Sequence, residues 1–226
     1  MPNHVTNRLE IIADNETVQK VMNFLKGVNE EDSTPCHIDF NKIIPMPKEL
    51  LIEASSSGKL GMEYLTAMQR KPLYTQDDLA TIQRVEELQE KNRKEVLQLG
   101  ASYLSNLEKY GYPTWYEWSI ATWGTKWNAY DQYLEEPNIL WFNTAWESVP
   151  LLIQKLSEVF PEVELHYAYA DENLGFNVGR GIIQNGEIDM TIPDGGSNEA
   201  FEIMFFVKPD MEEYFELTDE GYKWIA

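Results

Sequence analysis

The residues with the most distinctive chemistry in this 226-residue chain are aromatic and lie close together. Six of the seven tryptophans fall between Trp115 and Trp146. Polar side chains are interleaved with the rings of this region, as in a groove that recognises a ligand or a peptide. The alternative interpretation is core packing of two neighbouring strands and their loop. The candidate binding residues are Trp123, Lys126, Trp127, Asn128, Tyr130, Asp131 and Trp146.

Other chemistry-bearing residues do not form a recognisable catalytic or metal-binding motif. Cys36 and His37 are adjacent, and adjacent strand residues point to opposite faces, so they are not expected to share an ion. Gly179-Arg180-Gly181 has the composition of a phosphate loop, but it lies in strand-like sequence with no helix after it, and hairpin geometry explains its glycines better. No nucleophile-elbow motif supports a Ser-His-Asp site. We therefore predict no catalytic residue, no metal and no cofactor, and we favour a protein without enzymatic activity.

The charge of the chain restricts its partners. Its 18 basic and 38 acidic side chains give a formal net charge of −20 at pH 7. A direct nucleic-acid binder needs Lys and Arg at the phosphates, and an anionic membrane attracts basic surfaces, so neither partner is expected. Residues 157–226 contain 3 basic and 16 acidic side chains, a net charge of −13. Most of the acidity therefore belongs to the C-terminal third.

Composition and the N-terminus indicate a soluble cytoplasmic protein. The chain is 43% hydrophobic and 12% aromatic, which is enough to form a core despite the charge. Residues 1–12 alternate between apolar and polar and do not resemble a signal peptide. Cys36 is the single cysteine, so no internal disulfide can form.

The N-terminal half is predicted to contain two strands, a helix between them and a helical insertion. Alternation indicates strands near Val5–Ile11 and over Cys36–Phe40, with a helix from Asp14 or Asn15 to Gly27 and a loop at 28–35. Residues 48–112 are rich in Leu, Lys, Glu and Gln, which favours helix. Thr75 and Asp78 form a possible capping box. The segment Asp77–Tyr110 is predicted as one long helix or as two helices broken near Gly100.

The C-terminal half is predicted to be mainly β-structure. A strand is expected at Trp115–Trp123, a fully buried strand at Ile139–Thr144, and a helix that opens at Ser148 and Pro150 and closes at Pro161. Asn185-Gly186 indicates a type I′ hairpin turn. For residues 209–226, helix and extended tail both remain open. The further predicted strands are Val163–Tyr169, Phe176–Ile183, Ile188–Ile192 and Phe201–Val207.

Four short motifs stand out in the sequence: Pro2-Asn3-His4 with Asn7-Arg8-Leu9, Phe40–Pro47, Trp123–Ala129 and Phe142–Trp146. Together they resemble the Api92-like, YubB-type proteins of phages, plasmids and integrated elements. The resemblance covers residues 1–47 and about 113–180 and implies a ferredoxin-like domain, a mobile-element origin and no known reaction. We therefore expect an α+β fold, a ferredoxin-like split βαβ sandwich in a single domain over 1–226. The helical insertion would occupy 48–112, and acidic C-terminal strands and a tail would occupy 174–226.

Three functional hypotheses follow from these observations. The first is a non-enzymatic accessory protein of a mobile element that binds another protein, with a basic protein as one option. The second is an acidic mimic of nucleic acid that inhibits a host nucleic-acid-binding protein, which requires carboxylates in a patterned row rather than scattered ones. The third is a small enzyme with a site near Trp127–Asp131. The oligomeric state does not follow from the sequence.

Overall fold

The computed structural model describes residues 3–28 and 34–225. Pro2 of the N-terminal motif and residues 29–33 of the predicted loop lie outside these ranges. The chain forms two compact units, Met1–Pro45 with Ile120–Ala226 and Met46–Ser119. In chain order the elements are β1 (His4–Ile12), α1 (Asn15–Leu25), β2 (Gly27–Val28), β3 (Pro35–Cys36), α2 (Ser56–Gln69), α3 (Gln76–Glu86), α4 (Glu90–Tyr110), α5 (Trp115–Trp123), β4 (Tyr130–Glu136), β5 (Ile139–Ala145), α6 (Pro150–Val159), β6 (Glu164–Asp171), β7 (Val178–Gln184), β8 (Glu187–Thr191), α7 (Asn198–Val207), β9 (Phe215–Thr218) and β10 (Gly221–Trp224).

The first unit is built on an antiparallel sheet with the order β4-β5-β1-β6-β7-β8. Strand β1 lies in the centre, between β5 and β6. The path from β1 through α1 to β4, β5, α6 and β6 is the predicted split βαβ arrangement. Strands β7 and β8 extend it beyond β6 through a turn in which Asn185 and Gly186 both have positive φ, as a type I′ turn requires. The α+β, ferredoxin-like fold class is confirmed.

The two faces of the sheet carry different cores. Val5, Leu9 and Ile11 of β1 are fully buried on one face, and α6 contacts β6, β7 and β8. On the other face, α7 contacts β1, β6 and β7 and packs over small residues such as Ala168 and Ala170. Strand alternation thus sends odd-numbered β1 residues to one core and Thr6, Arg8 and Glu10 to the α7 face.

The strand predicted over Cys36–Phe40 is wrong beyond the short pairing of β3 with β2. Side-chain amides replace a strand ladder here: the Gln132 Oε1 accepts from the backbone N–H groups of His37 at 2.9 Å and Ile38 at 2.8 Å. The Gln132 Nε2 donates to the Ile38 carbonyl at 2.9 Å. Phe40–Lys42 then forms a 3₁₀-helix. Ile38 and Phe40 are fully buried and Asp39 between them is not, which explains why the sequence pattern resembles a strand.

Two other predicted strands are helices. Aromatic residues favour strands, but Thr114 accepts a hydrogen bond from the Tyr116 N–H and starts α5. In α7 the Ser197 hydroxyl accepts from the Ala200 N–H. This helix is apolar on several sides because the β9–β10 hairpin covers its outer face: Phe201 lies 5.0 Å from Phe215 between ring centroids. The undecided segment 209–226 contains a 3₁₀-helix at Pro209–Tyr214 followed by this hairpin.

The second unit contains α2, α3 and α4. The Thr75–Asp78 capping box is confirmed at the start of α3. The single long helix and the break near Gly100 are both wrong, because the break lies between Glu86 and Glu90. The α4 helix continues through Gly100. A Cβ at this position would lie only 2.2 Å from the Gly61 carbonyl carbon of α2, so a larger residue would not fit. Glycine at this position permits close packing of α2 and α4.

Candidate functional site

Four of the predicted binding residues form one partly exposed cluster, which we call the aromatic surface: Lys126, Trp127, Tyr130 and Trp146. The Lys126 Nζ lies 4.5 Å from the ring centroid of Trp127 and 5.1 Å from that of Trp146. One cation therefore contacts two indole rings, an arrangement that is favourable electrostatically. The Trp127 ring meets Tyr130 edge-on at 6.2 Å, and Trp127 is 37% exposed.

Unusual backbone conformations concentrate around the aromatic surface. Trp146 has φ +75° and Asp131 has φ +48°. Bulky residues rarely adopt positive φ, since it costs on the order of 1–3 kcal/mol at a residue other than glycine. Asn177, whose side chain contacts the Trp146 carbonyl, has φ +45°. Such conformations persist only where surrounding contacts fix them.

A buried carboxylate supplies those contacts. Asp171, at the end of β6, is 3% exposed, and its two oxygens accept from the amides of Asn3 at 3.2 Å and Asn177 at 2.9 Å. The Asn3 carbonyl in turn accepts from the Trp146 N–H at 2.8 Å, and the Asn177 amide also donates to the Trp146 carbonyl at 3.3 Å. Through Asn3 and Asn177, Asp171 thus positions both the backbone N–H and the carbonyl of Trp146.

A second buried network fixes the chain that flanks Trp146. The Tyr167 hydroxyl donates to the Asn7 Oδ1 at 2.5 Å and accepts from the Val149 N–H at 3.0 Å. The Asn7 amide donates to the Thr144 hydroxyl at 2.9 Å, and that hydroxyl donates to the Glu147 carbonyl at 2.8 Å. Polar groups on both sides of Trp146 are therefore satisfied in the core, which holds this loop in one conformation.

Tyr130 connects the aromatic surface to the sheet. Its hydroxyl donates to the Thr144 carbonyl at 3.1 Å and lies 2.6 Å from the His4 Nδ1. Burial, followed by the charges of Asp131 and Glu172, raises the pKa of Tyr130 to about 12. The phenol therefore stays neutral at physiological pH, and two carboxylates lie near enough to raise its pKa.

Trp123 and Asn128, the other predicted site residues, serve the core instead of the exposed surface. Trp123 is 4% exposed, and its Nε1 donates to the Ile44 carbonyl at 3.0 Å. The Asn128 Oδ1 accepts from the Phe40 N–H at 2.9 Å. Trp123 is thus buried as the core interpretation predicts, whereas Asn128 is half-buried. Asp131 is exposed and accepts from the Asn143 amide at 3.3 Å.

Sequence reasoning missed the positioning residues Asp171, Asn177 and Tyr167. Asn7 and Thr144 lie within the motifs of the family resemblance, and this was the available signal that they matter. Asp171 had no such signal, because in a chain this acidic one more carboxylate is not distinctive.

The described residues contain neither a metal-binding group nor a membrane-spanning helix. Within residues 3–28 and 34–225, no group of three His, Cys, Asp or Glu side chains is arranged to hold a metal ion. In the same ranges, none of the helices combines the length and the apolar character that crossing a membrane requires.

Comparison with known proteins supports the family resemblance. Residues 122–213 match the family model of the ferredoxin-like domain in Api92-like proteins. Among solved structures, the chain is similar to a crystal structure of a protein api92 from Yersinia pseudotuberculosis, with 12% identity and a TM-score of 0.39 over 87% of this chain and 99% of that chain. A search of curated proteins found no match. The match places the ferredoxin-like domain of Api92-like proteins at residues 122–213, in keeping with the predicted resemblance.

Proposed function

We propose that this chain, an Api92-like protein by the ferredoxin-like domain of residues 122–213, is a non-enzymatic binding protein. Its aromatic surface would contact another protein, in keeping with an accessory role in a mobile element. The observation that supports this proposal is the placement of Trp127 and Trp146 on one lysine, with Trp127 exposed. Tryptophans of this kind dominate the energy of many protein interfaces.

Preorganisation strengthens the case for binding. The Asp171 and Tyr167 networks fix the Trp146 backbone before any partner arrives. A surface that is already ordered loses less conformational entropy on association, so more of its contact energy appears as affinity. Core packing alone would not require a tryptophan at φ +75° next to the surface.

The charge around the aromatic surface defines the chemistry of the partner. Asp131 and Glu172 both act on Tyr130, and the whole chain has a formal charge of −20. A partner segment with Arg or Lys side chains would gain from these carboxylates and could place a cation against the exposed ring of Trp127. The proposed partner is therefore a protein with a basic contact surface.

Cross-linking from the surface itself tests this proposal. A photoreactive amino acid would replace Trp127 in one variant and Leu151, which is 64% exposed on α6, in the control. In cells that express the chain, we expect position 127 to capture a defined protein that position 151 does not. Equal capture from both positions would contradict a specific surface.

Binding of the captured protein then gives the energetic test. Trp127→Ala should weaken the affinity about 30-fold, the effect of a typical hot spot of about 2 kcal/mol, whereas Leu151→Ala should have no effect. The affinity should also fall as salt rises, because the partner is basic. Unchanged affinity of Trp127→Ala would refute the aromatic surface, and salt-insensitive binding would refute the basic partner.

The C-terminal segment supports a second candidate, the acidic mimic of nucleic acid. Six carboxylates between positions 210 and 220 are exposed: Asp210, Glu212, Glu213, Glu216, Asp219 and Glu220. A mimic would displace nucleic acid from the captured partner, and Glu212→Gln/Glu213→Gln/Glu216→Gln would reduce that displacement while Trp127→Ala would not. A partner that keeps its nucleic acid in the presence of the chain would exclude this candidate.

The third hypothesis, a small enzyme with a site near Trp127–Asp131, remains a prediction. It requires the exposed Asp131 to act on a substrate beside Trp127. Activity screens that give the same signal for the wild type and Asp131→Ala would remove its basis.

A further inference from the structure

The α7 face of the sheet contains a pocket that the aromatic surface does not include. The pocket has a volume of about 210 Å³ and is lined by residues of β1, β6 and β7 and by Phe206 of α7. Its principal side chains are Arg8, Glu10, His166, Arg180, Ile182 and Phe206. We call it the arginine pocket.

Strand register explains why two arginines converge here. Arg8 of β1 pairs with Ala168 of β6, and Ala168 pairs with Arg180 of β7. The three side chains therefore form one row across neighbouring strands, and all of them point to the α7 face. Because the central residue is alanine, open space remains between the two long side chains.

One ring of α7 organises both guanidinium groups. The Arg180 Cζ lies 3.8 Å from the centroid of the Phe206 ring, and the Arg8 Cζ lies 5.1 Å from it. Contact with an aromatic face fixes a guanidinium while leaving the N–H groups at its edge available for hydrogen bonds. Phe206 is itself 36% exposed, so its ring borders both the pocket and solvent.

The two arginines differ in how their charge is compensated. The Arg8 Nη1 forms an ion pair with Glu10 at 2.8 Å. The Arg180 side chain forms no ion pair or hydrogen bond with any residue in the ranges 3–28 and 34–225. Arg8, Glu10 and Arg180 together leave one positive charge in the pocket of a strongly acidic protein.

From this geometry we infer that the arginine pocket binds a small monocarboxylate with an apolar body. A carboxylate matches the planar fork of Arg180 and its single excess charge. Phe206 and the exposed Ile182 would contact the apolar part of the ligand. A cavity of about 150 Å³ can hold benzene, so about 210 Å³ accommodates a ring of that size with a carboxylate.

Titration with benzoate, benzamide and inorganic phosphate tests the inference on the full-length chain. Two-dimensional NMR spectra of the amides would report binding and its location. We expect benzoate to shift the signals of β1, β6 and β7 around Arg180, and the neutral isostere benzamide to bind at least about tenfold more weakly. Phosphate, which lacks an apolar body, should also bind more weakly than benzoate.

Substitutions assign the effect to Arg180. Arg180→Gln should weaken benzoate binding at least about tenfold, while Arg84→Gln, the same change at an exposed position of α3, should not alter it. Arg180→Lys keeps the charge and loses the planar fork, so it should bind more weakly than the wild type. Both Arg180 variants should fold, because the side chain is exposed and without a hydrogen bond in the described ranges.

Several outcomes would overturn the inference. They are equal binding of benzoate and benzamide, tighter binding of phosphate than of benzoate, wild-type affinity in Arg180→Gln, or no benzoate binding up to about 10 mM. None of these results bears on Trp127, so the arginine pocket can fail while the proposed protein partner stands.

Discussion

The aromatic surface and the arginine pocket use the same interaction in opposite arrangements. In the aromatic surface, one cation, Lys126, lies between the rings of Trp127 and Trp146. In the arginine pocket, the single ring of Phe206 contacts the guanidinium groups of both Arg8 and Arg180. The first region therefore offers apolar rings beside carboxylates, whereas the second offers excess positive charge beside an apolar ring. The same attraction between a cation and an aromatic ring can thus contribute to a binding site for a basic partner or to one for an acid.

The two regions also differ in what holds them in place. The loop of the aromatic surface has strained backbone and depends on the buried Asp171 and Tyr167 networks. The arginine pocket stands on regular strand register across β1, β6 and β7. Mutations in the buried networks should thus affect the first region far more than the second.

The largest effect is expected for Asp171→Ala. The change leaves the amides of Asn3 and Asn177 without their buried acceptor and should lower the free energy of unfolding by about 2–3 kcal/mol. For a chain of this size that corresponds to a fall in Tm of about 4–12 °C, and the tryptophan fluorescence of the native state should change as well. Asp219→Ala, at an exposed carboxylate, is the matched control and should leave both quantities unchanged. A native Asp171→Ala protein with wild-type fluorescence would show that Trp146 is held by other contacts.

A smaller loss is expected for Tyr167→Phe. The variant removes the hydroxyl that bonds the Asn7 Oδ1 and the Val149 N–H, at a cost of about 1–2 kcal/mol in chemical denaturation. Partner affinity should fall, because the loop around Trp146 becomes less ordered, while benzoate affinity should remain as in the wild type. An equal loss of both affinities would contradict the idea that the buried networks support the aromatic surface but not the arginine pocket.

Much of the sheet could be predicted from the sequence because its patterns are local. Alternation in β1, the continuous apolar run of β5 and the Asn185-Gly186 turn each depend on residues that are neighbours in the chain. The errors arise where distant groups decide. Gln132 bonds the backbone at residues 37 and 38, and the β9–β10 hairpin covers the outer face of α7.

The sites show the same division. The composition of Trp123–Trp146 indicated the aromatic surface, yet nothing in that segment distinguishes exposed Trp127 from buried Trp123. The arginine pocket depends on the register of β1, β6 and β7, which brings positions 8, 168 and 180 into one row. Sequence separation of this kind leaves no local pattern, so Gly179-Arg180-Gly181 was interpreted only as part of a hairpin.

Alkaline titration tests the aromatic surface through Tyr130. Its pKa of about 12 lies above the ordinary phenol value of 10, so the unfolded state releases this proton first as pH rises. Its contribution to stability is complete below pH 10 and is lost as the pH rises from about 10 to 12. The tyrosinate absorbance of the wild type minus that of Tyr130→Phe should show a group that ionises near pH 12. Glu172→Gln should lower this pKa, because it removes one of the nearby negative charges. A Tyr130 component that titrates near pH 10 would contradict the buried, carboxylate-flanked position of the phenol.

The smallest effect is expected for Asn185→Ala, which separates strain at a turn from strain at a site. Asn185 has φ +46°, similar to Asn177 and Asp131, but its conformation is explained by the hairpin turn alone. Alanine tolerates this conformation less well than asparagine, so stability should fall by about 1 kcal/mol in chemical denaturation, whereas Gln184→Ala beside it should be near neutral. Tryptophan fluorescence, partner affinity and benzoate affinity should all stay at wild-type values, because neither region depends on the conformation of this turn. A change in partner affinity would show that a strained residue outside the aromatic surface also affects binding. Positive φ would then not identify the binding site. The argument for the aromatic surface from the Trp146 backbone would then fail, leaving only the exposed rings to support it.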